Sequence, residues 1–283
     1  MLPDKLVKLL LRLLWSNAHV PFLILALYHT TQVLFLDELK FSFYDLLLFG
    51  ASMAVYGGHR ILQIRLGWRE MDKSDIDAIK KISLSEIYLG AFIGLWALPY
   101  LERTILLMQI PAALVTLLYI FPVLKTSQGS LSLRNSGLFK PLFVAVTATW
   151  VTATVPLIHS FSELELASYS FSHFLFLMAI TLPFDLRDLE VDRRNGLRTM
   201  AHSAGRGSVV NLSLMLLGTE FLLSLFLVSG LAEISLYWLA VAITNAFAVF
   251  VILQIRRPGS PLWFWMLEAS IALRFALVLV LAM

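Results

Sequence analysis

The chain has 283 residues, of which 59% are hydrophobic and only 14% charged, with a net charge of +3 and no cysteine. Ordinary soluble domains are closer to one quarter charged, so the composition excludes a soluble globular protein, and the missing cysteine excludes disulfides and thiolate metal sites. The small positive charge sits at the edges of apolar runs, so no basic soluble domain is left to bind nucleic acid.

Taken in chain order, the start "MLPDKLVKLLLRLLWSNAHV" carries basic residues but no small-residue cleavage site. It is read as an amphipathic lead-in to a retained first helix rather than a removed signal peptide. Apolar runs of about 20 residues, the length that spans a bilayer, then follow at 13–36, 43–64, 84–101, 104–124, 139–159, 168–184, 209–229, 232–253 and 261–282. The runs are continuous rather than alternating, which predicts helices and not sheet. The fold class expected is all-α, a polytopic membrane protein of nine transmembrane helices. No linker or internal repeat divides it, so residues 1–283 are read as one domain.

The connections alternate in charge. Of the 22 lysines and arginines, Arg60 and Arg274 fall inside helices. Lys40 and Arg103 lie on one side, beside Asp37, Glu38, Glu163, Glu165 and Glu233. All the others belong to the N-terminus, the loops near 65–83, 125–138, 185–208 and 254–260, and their flanks. The positive-inside rule places that basic side in the cytoplasm. The N-terminus is then inside and the C-terminus outside, as nine crossings require, in what is read as the plasma (inner) membrane.

The sixth run closes on "TLPFDLRDLEVDRRNGLRTM". At about 100° per residue, Asp185, Asp188 and Asp192 share one helical face, with Arg187 and Arg194 nearly opposite. Three carboxylates on one stripe repel at a membrane boundary unless they share a cation. Hard oxygen ligands suit Mg²⁺, which is usually held by one or two carboxylates together with substrate phosphates. The alternative is a solvated helix end whose aspartates pair with the neighbouring arginines.

The stretch "DLRDLEVDRRNGLRT", with Gly196 and Thr199 following the aspartates, resembles the second aspartate-rich motif of the UbiA superfamily of intramembrane prenyltransferases. Upstream, Tyr119, Pro122 and Lys125 in "LLYIFPVLKTSQGSLSLRNSGLFK" are similar to that family's tyrosine–proline–lysine stretch. The resemblance implies nine helices around a central cavity closed by cytoplasmic caps, Mg²⁺ held between two facing aspartate motifs that grip a prenyl diphosphate, and transfer of the prenyl group to a lipophilic acceptor. Carried over by position, Asp188 and Asp192 ligate the metal, with Asp185 third. Lys125 contacts the diphosphate, and Tyr119 stands at the cavity mouth or is simply an interfacial aromatic.

The first motif of that family departs here. Its asparagine and aspartates belong at the end of the second helix, where this chain reads "ASMAVYGGHRILQIRLGWREMD", with no aspartate from Ala51 until Asp72. Tyr56, His59, Arg60 and Gln63 nevertheless share a helical face, and Gly57 and Gly58 permit close approach of a helix or ligand. Three roles for Arg60 follow. It replaces a metal as counter-charge to the diphosphate, with Arg65 beside it; it pairs permanently with an aspartate of the second motif; or it snorkels to lipid headgroups. His59 is expected to partner Arg60. Asp72, Asp75 and Asp77 lack the motif spacing and read as solvated surface. Glu220 and Arg274, inside the seventh and ninth runs, are expected to form a structural ion pair. The competing functions are a non-catalytic UbiA-like protein that binds an isoprenoid or a partner and, last, a transporter, for which no paired symmetry is visible.

Overall fold

The computed structural model describes the chain except for residues 1–3, 37–38, 66–72, 121–123, 127–128, 132–138, 160–161, 195–198, 231–236, 256–261 and 283. The described residues form α1 (Asp4–Ser16), α2 (Val20–Phe35), α3 (Phe43–Arg65), α4 (Lys73–Ala97) and α5 (Arg103–Ile120). A small antiparallel hairpin, β1 (Leu124–Thr126) and β2 (Gly129–Leu131), comes next. α6 (Phe139–Thr149) widens into a π-turn over Trp150–Thr154 and closes with the short α7 (Val155–Leu157). α8 (Glu163–Thr181), α9 (Phe184–Arg194), α10 (Met200–Gly230), α11 (Tyr237–Ile255) and α12 (Leu262–Ala282) complete the chain.

A helix lies under each expected span. Among the described residues six helical stretches are long and apolar enough to cross a membrane: Lys73–Tyr100, Lys140–Leu157, Glu163–Leu189, Met200–Leu225, Tyr237–Ile255 and Leu262–Ala282. Val20–Phe35 and Arg103–Tyr119 are apolar but shorter. Among the described residues, length and composition alone thus qualify six helices. The polar stripe of α3, which includes His59, Arg60 and Gln63, explains why that helix is not among them. The hairpin is an addition to the all-helical expectation, confined to one connection.

The chain divides into two compact units, one of Met1–Leu25 and Phe41–Leu107, the other of Ala26–Lys40 and Met108–Met283. In the first unit α3 and α4 run antiparallel in close contact. A Cβ built on Gly90 would lie 2.5 Å from the Gly50 carbonyl oxygen, and one on Gly57 would lie 2.7 Å from the Ser83 carbonyl oxygen. Small residues at such crossings let two backbones meet, the main attraction left to helices when both lipid and side chains are apolar. Gly58, expected to serve the same end, has open space beside it. On its outward face α4 exposes Tyr88, Phe92, Leu95 and Trp96, the surface a lipid-facing helix presents. α1 packs on α4, with the Arg12 guanidinium bonded to Asp75 at 2.7 Å.

In the second unit α8 is central, packed against α6 and α10, while α11 packs on α10 and α12. Ser162 and Glu165 form a reciprocal capping box that starts α8. The helix then buries Tyr169, Leu175, Phe176 and Leu177. The Tyr169 hydroxyl meets Thr31 Oγ1 at 3.0 Å, so a polar tip inside the apolar core keeps a partner.

Candidate functional site

α8 ends where Pro183 cannot donate to the ladder, and the chain restarts as α9 one residue later. Asp185 therefore stands in the first turn of α9, where the positive end of the helix dipole favours a carboxylate. Asp188 follows three residues on, over the same face. Both are buried, 1% and 3% exposed, so these two carboxylates do not stand in water, while the expected pairing with a neighbouring arginine is present for Asp188.

Their shared partner is Lys140, from the first turn of α6. Its Nζ donates to Asp188 Oδ2 at 3.0 Å and lies 3.5 Å from Asp185 Oδ1. Two carboxylates thus converge on one cation. Arg187 Nε donates to Asp188 Oδ1 at 3.1 Å. Helical spacing alone points Arg187 away from Asp188, but its long side chain curls back, its guanidinium 4.6 Å from the centroid of the Phe184 ring. A cation–π contact of that kind holds an arginine in place more firmly than its charge alone does.

This arrangement fits a divalent ion of the Mg²⁺ class in one respect. Two oxygens from adjacent turns already point at a single cation position, and substrate phosphates ordinarily complete such a shell. Among the described side chains, no three histidine, aspartate or glutamate groups gather closely enough to hold a metal by themselves. Asp192 lies on α9, but its side chain is outside the described residues, as are those of Lys125 on β1 and Arg194. Gly196 is also outside them. Thr199 is buried at 2%. Tyr119 is half-buried near the end of α5.

The substituted first motif lies in the other unit. Arg60 is 1% exposed, which overturns the snorkelling account. Its guanidinium donates to Gln63 Oε1 and, at 2.6 Å, to Asn17 Oδ1. Asn17 sits between α1 and α2 with φ of 71°, a left-handed conformation that asparagine tolerates better than most residues. Close by, Ser16 Oγ donates to Glu86 Oε1 at 3.2 Å. Arg60 is thus held by neighbours on α3 and at the α1–α2 corner. Tyr56 and His59 are half-buried on the same helix, and Arg65 is exposed at its end. Asp75 is spoken for by Arg12; Asp72 lies outside the described residues.

Three participants escaped the sequence reading. Lys140 is the one charge in α6, "FKPLFVAVTAT", and that isolation in an apolar helix was the available signal. Glu86, the last charge of α4 and five residues beyond its polar start, carried a weaker form of that signal. Asn17 carried none, because only the backbone turn reveals its role. The expected Glu220–Arg274 ion pair is present, at 3.0 Å.

No protein-family model matches this sequence, and no curated protein does. Among solved structures, the apo structure of a UbiA homolog from Aeropyrum pernix K1 aligns over 92% of this chain and 94% of that one, with a TM-score of 0.60 and 15% sequence identity. The likeness is one of fold. Together with the apolar helices it makes the chain a predominantly helical integral membrane protein with a UbiA-like fold.

Proposed function

We propose that the chain transfers a prenyl group from a prenyl diphosphate to a lipophilic acceptor within the membrane. The observation that carries this reading is the convergence of two buried carboxylates, Asp185 and Asp188, on a single cation position in a UbiA-like fold. Asp185 and Asp188, with Asp192 one turn further along α9, are the residues to hold Mg²⁺. When bound, the ion would neutralise the leaving diphosphate as the allylic carbon gains cationic character.

The protein's own groups do the rest. The α9 carboxylates orient the diphosphate at the end of the α8–α9 span, and Lys125 and Tyr119 extend the site as diphosphate contacts by their place in the tyrosine–proline–lysine stretch. Arg60 and Arg65 offer guanidinium groups that grip phosphate without a metal, with Tyr56, His59 and Gln63 on the same polar face. Apolar helices around the site keep water from capturing the cationic carbon. The lysine- and arginine-rich loops favour a cytoplasmic N-terminus and an external C-terminus, in the plasma membrane.

A second reading is favoured by one observation. Arg60 occupies the place of the first aspartate motif and is already bonded to Asn17 and Gln63, which suits a non-catalytic relative that binds an isoprenoid or a partner protein.

The test is transfer by the purified full chain in lipid nanodiscs. Labelled prenyl diphosphates of several lengths are supplied, a membrane lipid extract serves as acceptor source, and Mg²⁺ is added or chelated. Asp188→Asn is expected to lower turnover by about 100-fold, with chelation doing the same. Isoprenoid binding without turnover at any chain length would replace the enzyme by the second reading.

A further inference from the structure

We propose that Lys140 is a built-in competitor for the metal. Its ammonium holds Asp185 and Asp188 until a divalent ion arrives together with a diphosphate, and it then moves onto the diphosphate oxygens. The inference rests on the prenyl diphosphate reading above and deepens it, because it assigns what holds the two aspartates before substrate binds and what admits the substrate.

Two carboxylates on adjacent turns of one helix, each at most 3% exposed, cannot both stay ionised in a low-dielectric site without a cation between them. Lys140 is the cation that both share, with Nζ at 3.0 Å and 3.5 Å from the two aspartates, while Arg187 pairs with Asp188 alone. It is itself 8% exposed and reaches the site from another helix, so it has no place in water to retreat to. A lysine is a compact charge on four rotatable bonds with three donors, suited to exchanging one anion for another within a few ångströms.

A divalent ion alone gains the carboxylates but strands the ammonium beside a double positive charge. A divalent ion with diphosphate gives the ammonium a new anion. Lys140 therefore makes metal binding conditional on diphosphate and positions the diphosphate once it is bound. Arg187 lacks this freedom, because its guanidinium is 4.6 Å from the Phe184 ring centroid and 5.9 Å from that of Phe264.

The experiment reads Mn²⁺ binding to the full chain in nanodiscs by loss of the free-ion paramagnetic resonance signal, with no diphosphate present. Wild type is expected to bind weakly. Lys140→Met should bind about tenfold more tightly or better, since a like charge a few ångströms from the ion is gone. Lys140→Arg, which keeps the charge, should stay close to wild type, and a thermal melt of each variant shows that it is folded. Adding Asp188→Asn to Lys140→Met should abolish the gain. In wild type, a prenyl thiodiphosphate should tighten Mn²⁺ binding, and Lys140→Met should lose most of that synergy. A folded Lys140→Met that binds Mn²⁺ no better than wild type overturns the proposal, as does a gain that survives Asp188→Asn. Prenyl transfer seen alongside either result would leave the functional reading standing and remove only this inference. Tightened Mn²⁺ binding without transfer by any diphosphate would do the reverse.

Discussion

Two buried acid–base clusters lie in the same unit and use the same chemistry to opposite ends. Near the middle of α11 and α12, Glu220 accepts from Arg274 Nη1 at 3.0 Å, from Ser172 at 3.4 Å and from Asn245. Arg274 donates a second time to Asn245 Oδ1 at 2.9 Å and lies 3.5 Å from the centroid of the Phe176 ring. One acid faces one base, and side chains from four helices close the network. At the end of α8 and along α9, two acids share one lysine, and the adjacent arginine covers one of them. The first cluster has little to gain from a ligand. The second is held by a cation that a stronger one can displace. Burial of charge alone therefore does not mark a site; the ratio of acids to exchangeable cations does.

The widest separation between the two should appear in stability. Glu220→Ala or Arg274→Ala strands a charge in the core and should cost about 3–5 kcal/mol, read as a lowered thermal or denaturant midpoint in detergent. Glu220→Leu combined with Arg274→Leu should cost less than either single change, since no buried charge remains. Asp188→Asn should move the same midpoint less, by about 1.5–3 kcal/mol, because the amide oxygen can still accept from Lys140 or Arg187 and Asp185 stays beside Lys140, while turnover falls. If Asp188→Asn unfolds the protein as Glu220→Ala does, the contrast between a structural and a functional cluster is lost.

Arg60 lies between these cases. Arg60→Met should cost about 2 kcal/mol, the order expected when buried hydrogen-bond partners such as Asn17 and Gln63 lose a charged donor. Gln63→Met removes one of those bonds and keeps the charge. A diphosphate role for Arg60 predicts that Arg60→Met raises KM far more than Gln63→Met does. Equal effects on KM would assign Arg60 to the fold alone.

Much of this was legible from sequence because apolar run length and helical spacing are local properties. The runs placed the helices, and the 185–188 spacing placed two aspartates on one face. The limits lay where a contact joins distant residues or where the backbone leaves the helix without an apolar break. Lys140 meets Asp188 across 48 positions, and its isolation in an apolar helix marks the lysine but not its partner. The run 13–36 reads as one span, yet the chain turns at Asn17, because the leucines of α1 and the apolar start of α2 merge in composition. α4 starts at Lys73 rather than near 84 because its first turns, "KSDIDAIKK", are polar but helical. α10 begins at Met200 and passes through Gly205 at φ of 80°, a bend that only glycine takes at little cost. Asp192 and Lys125 rest on the motif resemblance, their side chains being outside the described residues.

The smallest effect belongs to an ion pair that water reaches. Arg12 on α1 and Asp75 on α4 meet at 2.7 Å, but their side chains are 32% and 34% exposed. Water there screens the attraction, and two long side chains lose freedom in holding one geometry, so Arg12→Ala should cost only about 0.2–1 kcal/mol. Its midpoint shift should shrink as salt rises, since the Debye length falls to about 3 Å at 1 M. The shift for Glu220→Ala should not shrink, because its partners lie where salt does not reach. A salt-independent Arg12→Ala shift of several kcal/mol would mean that α1 is held by packing lost with the arginine stem, and the pair would then belong with the closed cluster instead of opposite it.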